Sequence, residues 1–129
     1  MTGGRAQRVL IADDDDAIRT LVARMLRRAG LDPVEAADGQ HAIEQLDASE
    51  FDVLVLDLMM PRVDGFGVVE HLIRTRPWML EKTLVVTASP RAAARTRLHH
   101  LCRILSKPFE MNELIHLVRA CADAETRER

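Results

Sequence analysis

Tyrosine is absent from this 129-residue chain, and aromatic residues of all kinds make up 3% of it. That removes the stacking platform on which single-stranded nucleic acid is held. Neither sign of charge dominates: Lys and Arg number 18, Asp and Glu 20, for a formal net charge of −2. Binding a phosphate backbone as a main activity needs a basic surplus, so no nucleic acid is expected as a direct partner. Apolar runs fall well short of the roughly 20 residues of a membrane span, so no membrane partner is expected either. The N-terminal stretch from Met1 to Gln7 is polar where a secretory signal would be apolar. Two cysteines, Cys102 and Cys121, are too few for a disulfide framework, and their spacing fits no zinc motif. A reducing, cytoplasmic setting is the resulting expectation. Lysine is scarce as well: Lys82 and Lys107 stand against sixteen arginines, which makes the placement of each worth asking about.

What the chain does have is apolar content, 47% of its residues, enough for one self-sufficient core. No linker, repeat or low-complexity tract interrupts residues 8–122, which are read as a single domain flanked by polar termini at 1–7 and 123–129. Short apolar runs at Val9–Ala12, Val34–Ala36, Val53–Leu56, Leu84–Val86 and Arg103–Leu105 predict five strands. Three of them are apolar without alternation, as strands covered on both faces must be. Between them apolar residues recur at helical spacing. Ile18, Leu21, Val22, Met25 and Leu26 mark one helix, closed by Gly30. Ala42, Ile43 and Leu46 mark a second; Phe66, Val69, Leu72 and Ile73 a third, stopped by Pro77. Met111, Leu114, Ile115, Val118 and Ala122 mark the last, and residues 90–101 are a weaker helix with Leu98 and Leu101 as its large apolar anchors. Strands alternating with helices predict an α/β fold, a parallel sheet with helices on both faces. The sheet order is not readable from periodicity.

In an open doubly wound sheet the site lies at the carboxyl ends of the strands. There the sequence turns polar: Asp13-Asp14-Asp15-Asp16 after the first strand, Asp57 after the third, Thr87 after the fourth, Ser106-Lys107 after the fifth. The second ends in Ala37-Asp38-Gly39, a turn signature without an evident role. Capping a helix needs one or two carboxylates, not four in succession; Asp15 or Asp16 is the expected cap. Clustered carboxylates repel one another, and a single Lys compensates too little. All-oxygen ligation favours Mg²⁺, with Mn²⁺ also possible. Metal, carboxylate, ammonium and hydroxyl together make a phosphoryl-transfer constellation. No Gly-rich nucleotide loop is present, which leaves covalent capture by an Asp carboxylate.

The segments Ile11–Arg19 (IADDDDAIR), Asp57–Gly65 (DLMMPRVDG), Thr87-Ala88 and Ser106-Lys107-Pro108-Phe109 closely resemble the receiver domain of two-component response regulators, over almost the whole chain. The resemblance implies a flavodoxin-like (βα)5 fold with strand order 2-1-3-4-5. It implies that Asp57 accepts a phosphoryl group from a sensor histidine kinase or a histidine phosphotransfer protein. Asp14 would bind Mg²⁺ directly, Asp13 mainly through water, with Asp57 and the backbone carbonyl of Met59 completing the protein ligands. Thr87 would contact the phosphoryl group and shift on phosphorylation, with Ala88 leaving room beside it. Lys107 would pair with a phosphoryl oxygen, followed by a cis bond to Pro108. The protein would then be a switch of protein–protein contacts with an unknown downstream partner, catalysing only its own phosphorylation and dephosphorylation.

Departures from the family pattern are visible. Ile104 stands where an aromatic residue is usual, the stretch from Thr87 to Lys107 is slightly short, and Cys102-Arg103 replaces a common acidic pair. Only a short charged tail follows residue 122, as in a chemotaxis-regulator-like single-domain receiver or one receiver of a longer protein; Met1 favours an N-terminal position. Two other readings are a receiver-like binding module that acts without phosphorylation and an Asp-nucleophile phosphatase. The second lacks its usual carboxylate two residues beyond Asp57, where Met59 stands. The histidines 41, 71, 99, 100 and 116 show no metal spacing and are expected on solvated helix faces. Arg91, Arg95, Arg97, His99, His100 and Arg103 form a basic stretch, read as solvated or, alternatively, as a docking face for an acidic partner.

Overall fold

A computed structural model of the chain describes residues 5–91 and 101–124. Five strands, β1 (Arg8–Ala12), β2 (Asp32–Ala36), β3 (Val53–Asp57), β4 (Thr83–Thr87) and β5 (Arg103–Ser106), pair in parallel in the order β2-β1-β3-β4-β5. Among the described residues four α-helices, α1 (Asp16–Arg28), α2 (Gly39–Ala48), α3 (Gly65–Thr75) and α4 (Met111–Asp123), flank them. The helix expected over residues 90–101 lies, apart from its ends, outside the described residues, as do Arg95, Arg97, His99 and His100.

The apolar runs of β1, β3 and β4 are explained by what covers them. Leu10, Leu54, Leu56 and Val85 pack with Leu46, Val68 and Leu72 from α2 and α3. The alternate residues Val9, Ile11, Val53, Val55 and Val86 pack with Val22 and Leu26 of α1 and Leu114 and Val118 of α4. Successive side chains point to opposite faces, so a strand buried on both must be apolar throughout. The edges differ. Pro33 sits on β2, where a missing N–H costs least, and on β5 only Leu105 is buried.

Three of the four described helices start by one rule, the exception being α4, whose cap position Glu110 makes no side-chain bond. Asp15 accepts from the Ile18 N–H, Asp38 from His41 and Asp64 from Gly67, each closing an orphan donor of α1, α2 and α3. Asp38, left without a role by its sequence, is therefore a cap. Gly30 ends α1 with φ +91°, the left-handed conformation expected of it. The helix α3 stops at Thr75, as Pro77 requires, but Pro77 then opens a 3-10 helix over Pro77–Lys82 that periodicity did not reveal. Proline is well placed there because its absent N–H would be unpaired anyway. His71 is only partly solvated: its Nε2 lies 2.8 Å from the exposed Asp47 carboxylate and its side chain is 17% exposed. Among the described residues no helix is long and apolar enough to cross a membrane.

The cysteines require a correction. Cys102, just before β5, and Cys121, on the buried face of α4, are joined in a disulfide with their Cα atoms 5.8 Å apart. They are too few for a framework, but the pair removes the basis for inferring a reducing setting. Nineteen positions separate them, and cross-linking a loop of this size constrains the unfolded chain by roughly 3 kcal/mol. Cys102→Ser should therefore lower stability in urea by about that amount relative to the oxidised protein. Reductant should bring the wild type down to the same level and leave the variant unchanged, which matched unfolding curves would check.

Candidate functional site

Strand register assembles the site. Ala12 pairs with Leu56, Asp57 with Val86, and Thr87 with Ser106. The residues that end or follow β1, β3, β4 and β5 thus emerge side by side: Asp13 and Asp14, Asp57, Thr87 and Lys107. Beneath Asp13 and Asp57 the floor is apolar, lined by Ile18, Val22, Val86, Phe109 and Leu114.

Oxygens of Asp13, Asp14 and Asp57 all lie within 4.8 Å of one another, with Asp13 and Asp57 buried and Asp14 exposed. Among the described residues this is the one group of three or more potential metal-ligating side chains, and no histidine belongs to it. Asp13 Oδ1 accepts the Asp15 N–H at 2.9 Å, and Oδ2 accepts from Lys107 Nζ at 3.1 Å. Asp57 Oδ1 accepts the Met59 N–H at 3.3 Å, and Oδ2 lies 3.6 Å from Lys107 Nζ. The Met59 side chain is 65% exposed, so nothing about packing selects methionine there. Thr87 is buried; its Oγ1 accepts the Ser89 N–H at 3.0 Å, which leaves the hydroxyl proton free to donate. The carbonyl of Thr87 accepts the Lys107 N–H at 2.8 Å, fixing where Lys107 leaves the sheet, and the Lys107–Pro108 bond is cis.

Electrostatics is unbalanced. Burial pushes the Asp57 carboxyl above its ordinary value; Lys107 and the Met59 N–H pull it down, while Asp13 and Asp14 push it up again. Burial also opposes the charge on Lys107, but the hydrogen bond to Asp13 and the fields of Asp13 and Asp57 outweigh it and hold the ammonium above its usual range. Three carboxylates facing one ammonium leave a deficit of two positive charges. A hard divalent cation fits that deficit and this all-oxygen donor set.

The loop after Asp57 is shaped by close approach. A Cβ on Gly65 would lie 2.5 Å from the Asp57 carbonyl oxygen and 2.6 Å from Leu58 Cα, so α3 can start against β3 only with glycine there. The Gly65 N–H bonds the Leu58 carbonyl at 2.9 Å. Arg62, at φ +66°, reaches Asp38 at 2.7 Å and ties this loop to the start of α2. Sequence reading missed that pair, and it missed Arg19, whose guanidinium donates to the Asp13 carbonyl at 2.7 Å. Spacing gave only a faint signal for either: Arg19 stands three residues after Asp16, and Asp38 precedes a helix.

In the metal-free protein the raised Asp57 pKa works against folding. The folded state holds this proton more tightly than the unfolded chain, so the penalty is absent below the ordinary Asp value of about 3.8. It grows as pH rises through the elevated folded value and is full above it. In chelator at pH 7, Asp57→Asn should melt above the wild type, and the gap should close toward pH 4. Equal melting temperatures across that range would refute the raised Asp57 pKa, to which burial contributes most and the neighbouring carboxylates less.

The response regulator receiver domain family matches residues 9–119. The transcriptional regulatory protein TcrA of Mycobacterium tuberculosis is 36% identical over 117 residues, covering 88% of this chain and 45% of that protein. The phosphate regulon transcriptional regulatory protein PhoB of Escherichia coli is 32% identical over 119 residues, 89% of this chain and 51% of its own length. The chain thus spans about half the length of the curated relatives it matches. Among solved structures, a Francisella response regulator receiver domain superposes with a TM-score of 0.81 at 28% identity, covering 90% of this chain and 96% of that one. The chemotaxis response regulator CheY4 of Vibrio cholerae gives 0.80 at 28% identity, covering 90% and 98%.

Proposed function

The chain belongs to the response regulator receiver domain family, and we propose that it works as a phosphorylation switch in which Asp57 is the phospho-acceptor. The observation that carries the reading is the meeting of Asp13, Asp14 and Asp57 within 4.8 Å, beside Lys107. Asp13, Asp14 and Asp57 would hold Mg²⁺ together with the backbone carbonyl of Met59, and Mn²⁺ would serve the same ligands. When bound, the metal supplies charge that offsets the carboxylates and the oxygens of an incoming phosphoryl group.

The chain's own residues supply the rest. An Asp57 carboxylate oxygen attacks phosphorus; an O–P bond forms as the P–N bond of a phosphohistidine breaks, and the freed imidazole takes up a proton from solvent. The donor is a sensor histidine kinase or a histidine phosphotransfer protein. The Lys107 ammonium, within reach of Asp57, pairs with a phosphoryl oxygen. The Thr87 hydroxyl, whose proton has no acceptor among the described residues, donates to another. Turning Thr87 toward the phosphoryl group gives up its acceptor role to the Ser89 N–H, and so alters the chain that leaves β4. This is how occupancy of Asp57 would change contacts with a downstream protein. The activity is one of signalling, limited to the protein's own phosphorylation and dephosphorylation.

A second reading rests on Ile104, which is 38% exposed on β5 where an aromatic side chain would swing in other receivers. Without that lever the domain could dock a partner irrespective of phosphorylation. Acetyl phosphate with Mg²⁺ separates the two. It should add one phosphoryl group by intact mass to the wild type and none to Asp57→Ala; equal labelling of both, or labelling of neither, would refute the acceptor assignment. Mg²⁺ at a hundred times its Kd should also stabilise the fold by about 2.7 kcal/mol, and Asp14→Ala should lose most of that gain. A melting curve indifferent to millimolar Mg²⁺ would remove the metal from the reading.

A further inference from the structure

We propose that Arg19, anchored by Glu35, is the positioning residue of the acidic site, fixing the backbone from which Asp13 and Asp14 present their carboxylates. The inference rests on reading Asp13, Asp14 and Asp57 as the cation-holding group. Arg19 lies in the first turns of α1 with its side chain only 12% exposed. Its three nitrogens reach three parts of the fold. Nη1 donates to the Asp13 carbonyl at 2.7 Å, Nη2 to the Asp16 carboxylate at 2.7 Å, and Nε to the Glu35 carboxylate at 3.0 Å. Glu35 belongs to β2 and pairs in register with Ile11 of β1. The neighbouring Thr20 hydroxyl also donates to it, at 3.4 Å.

The consequence is concentrated on Asp13. Its N–H bonds the Ala36 carbonyl at 3.2 Å, its carboxylate is taken by the Asp15 N–H and Lys107, and its carbonyl is taken by Arg19. All four polar positions of the residue are engaged, and the Arg19 bond is the one that ties the β1–α1 turn to both α1 and β2. A planar guanidinium with fixed donor directions is suited to this, and a lysine ammonium is not. Mg²⁺ accepts little error in ligand placement, since it demands near-octahedral geometry. Burial opposes the charge on Arg19, but Asp16 and Glu35 outweigh it and hold the guanidinium protonated.

Positioning and simple electrostatics predict opposite signs. Arg19 is a cation close to the acidic group; removing a positive charge should, on Coulombic grounds alone, tighten a divalent ion or leave it unchanged. Loss of positioning should weaken it. Titration calorimetry of the metal-free protein with Mg²⁺ at fixed ionic strength reads the sign directly. Arg19→Met, which keeps an apolar stem, should raise the Mg²⁺ Kd roughly tenfold, the scale of losing an outer-shell partner. Arg19→Lys should weaken it too, because charge survives but the fork does not. Arg24→Met, one turn further along the exposed face of α1, should leave it unchanged. Arg19→Lys carries the test if Arg19→Met shows no cooperative melting transition, because its charge is unchanged and Coulombic grounds predict no effect, whereas loss of the fork to Asp13 and Glu35 predicts weaker binding. Mg²⁺ bound as tightly or more tightly by Arg19→Met, or as tightly by Arg19→Lys where that variant decides, overturns the assignment while leaving the proposed function standing. A wild type that binds no Mg²⁺ at millimolar concentration overturns both.

Discussion

Like charges forced together at the ends of parallel strands govern this molecule. Asp13 and Asp57 are buried beside each other, Asp14 stands within 4.8 Å, and among the described residues Lys107 is the cation recorded against their carboxylates. Such an arrangement is costly for a folded chain, and a core must compensate for it. The compensation lies in the strands themselves. Each central strand is buried on both faces between helical layers, so the sheet fixes the spacing of its ends with little freedom to spread. A rim whose carboxylates could move apart would lose its demand for a cation. Here the register of β1, β3 and β4 keeps that demand in force.

Local rules serve the same end. Asp caps at α1, α2 and α3 start helices immediately beyond the sheet, so the connecting turns are short and the carboxylates they carry are well placed. Gly65 lets α3 begin in contact with Asp57. The Asp run after β1 divides its labour: Asp15 caps, Asp16 pairs with Arg19, and Asp13 and Asp14 face the site. Four identical residues in succession thus have at least three jobs, set by which direction each leaves the turn.

The fold and the group of Asp13, Asp14, Asp57, Thr87 and Lys107 were legible because both leave dense local signatures. Uninterrupted apolar runs require two covered faces, and a carboxylate, hydroxyl or lysine directly after such a run marks a strand end. Strand order came from resemblance, since periodicity carries no information about which strands are neighbours. What stayed hidden depends on distance across the fold. Arg19 reaches Asp13 and Glu35, Arg62 reaches Asp38, and His71 reaches Asp47, each through a long side chain whose direction spacing cannot specify. Cys102 and Cys121 escaped for the same reason: one precedes an edge strand, the other lies on a helix, and only packing brings them together.

That last contact bears on how the site is held. Lys107 follows β5, the strand with the least buried surface, in which Leu105 alone is covered and Ile104 is 38% exposed. A compensating charge on a weakly packed edge would be poorly fixed if hydrogen bonding to β4 were its only support. Two further attachments limit its movement. At one end of β5 the disulfide fastens Cys102 to α4, and at the other the Lys107 N–H is taken by the Thr87 carbonyl. Because Thr87 also accepts the Ser89 N–H through its hydroxyl, the residue that holds the backbone of Lys107 is the same one that borders the segment after β4. The ammonium balancing the acidic rim and the path leading away from it are therefore joined at a single buried threonine.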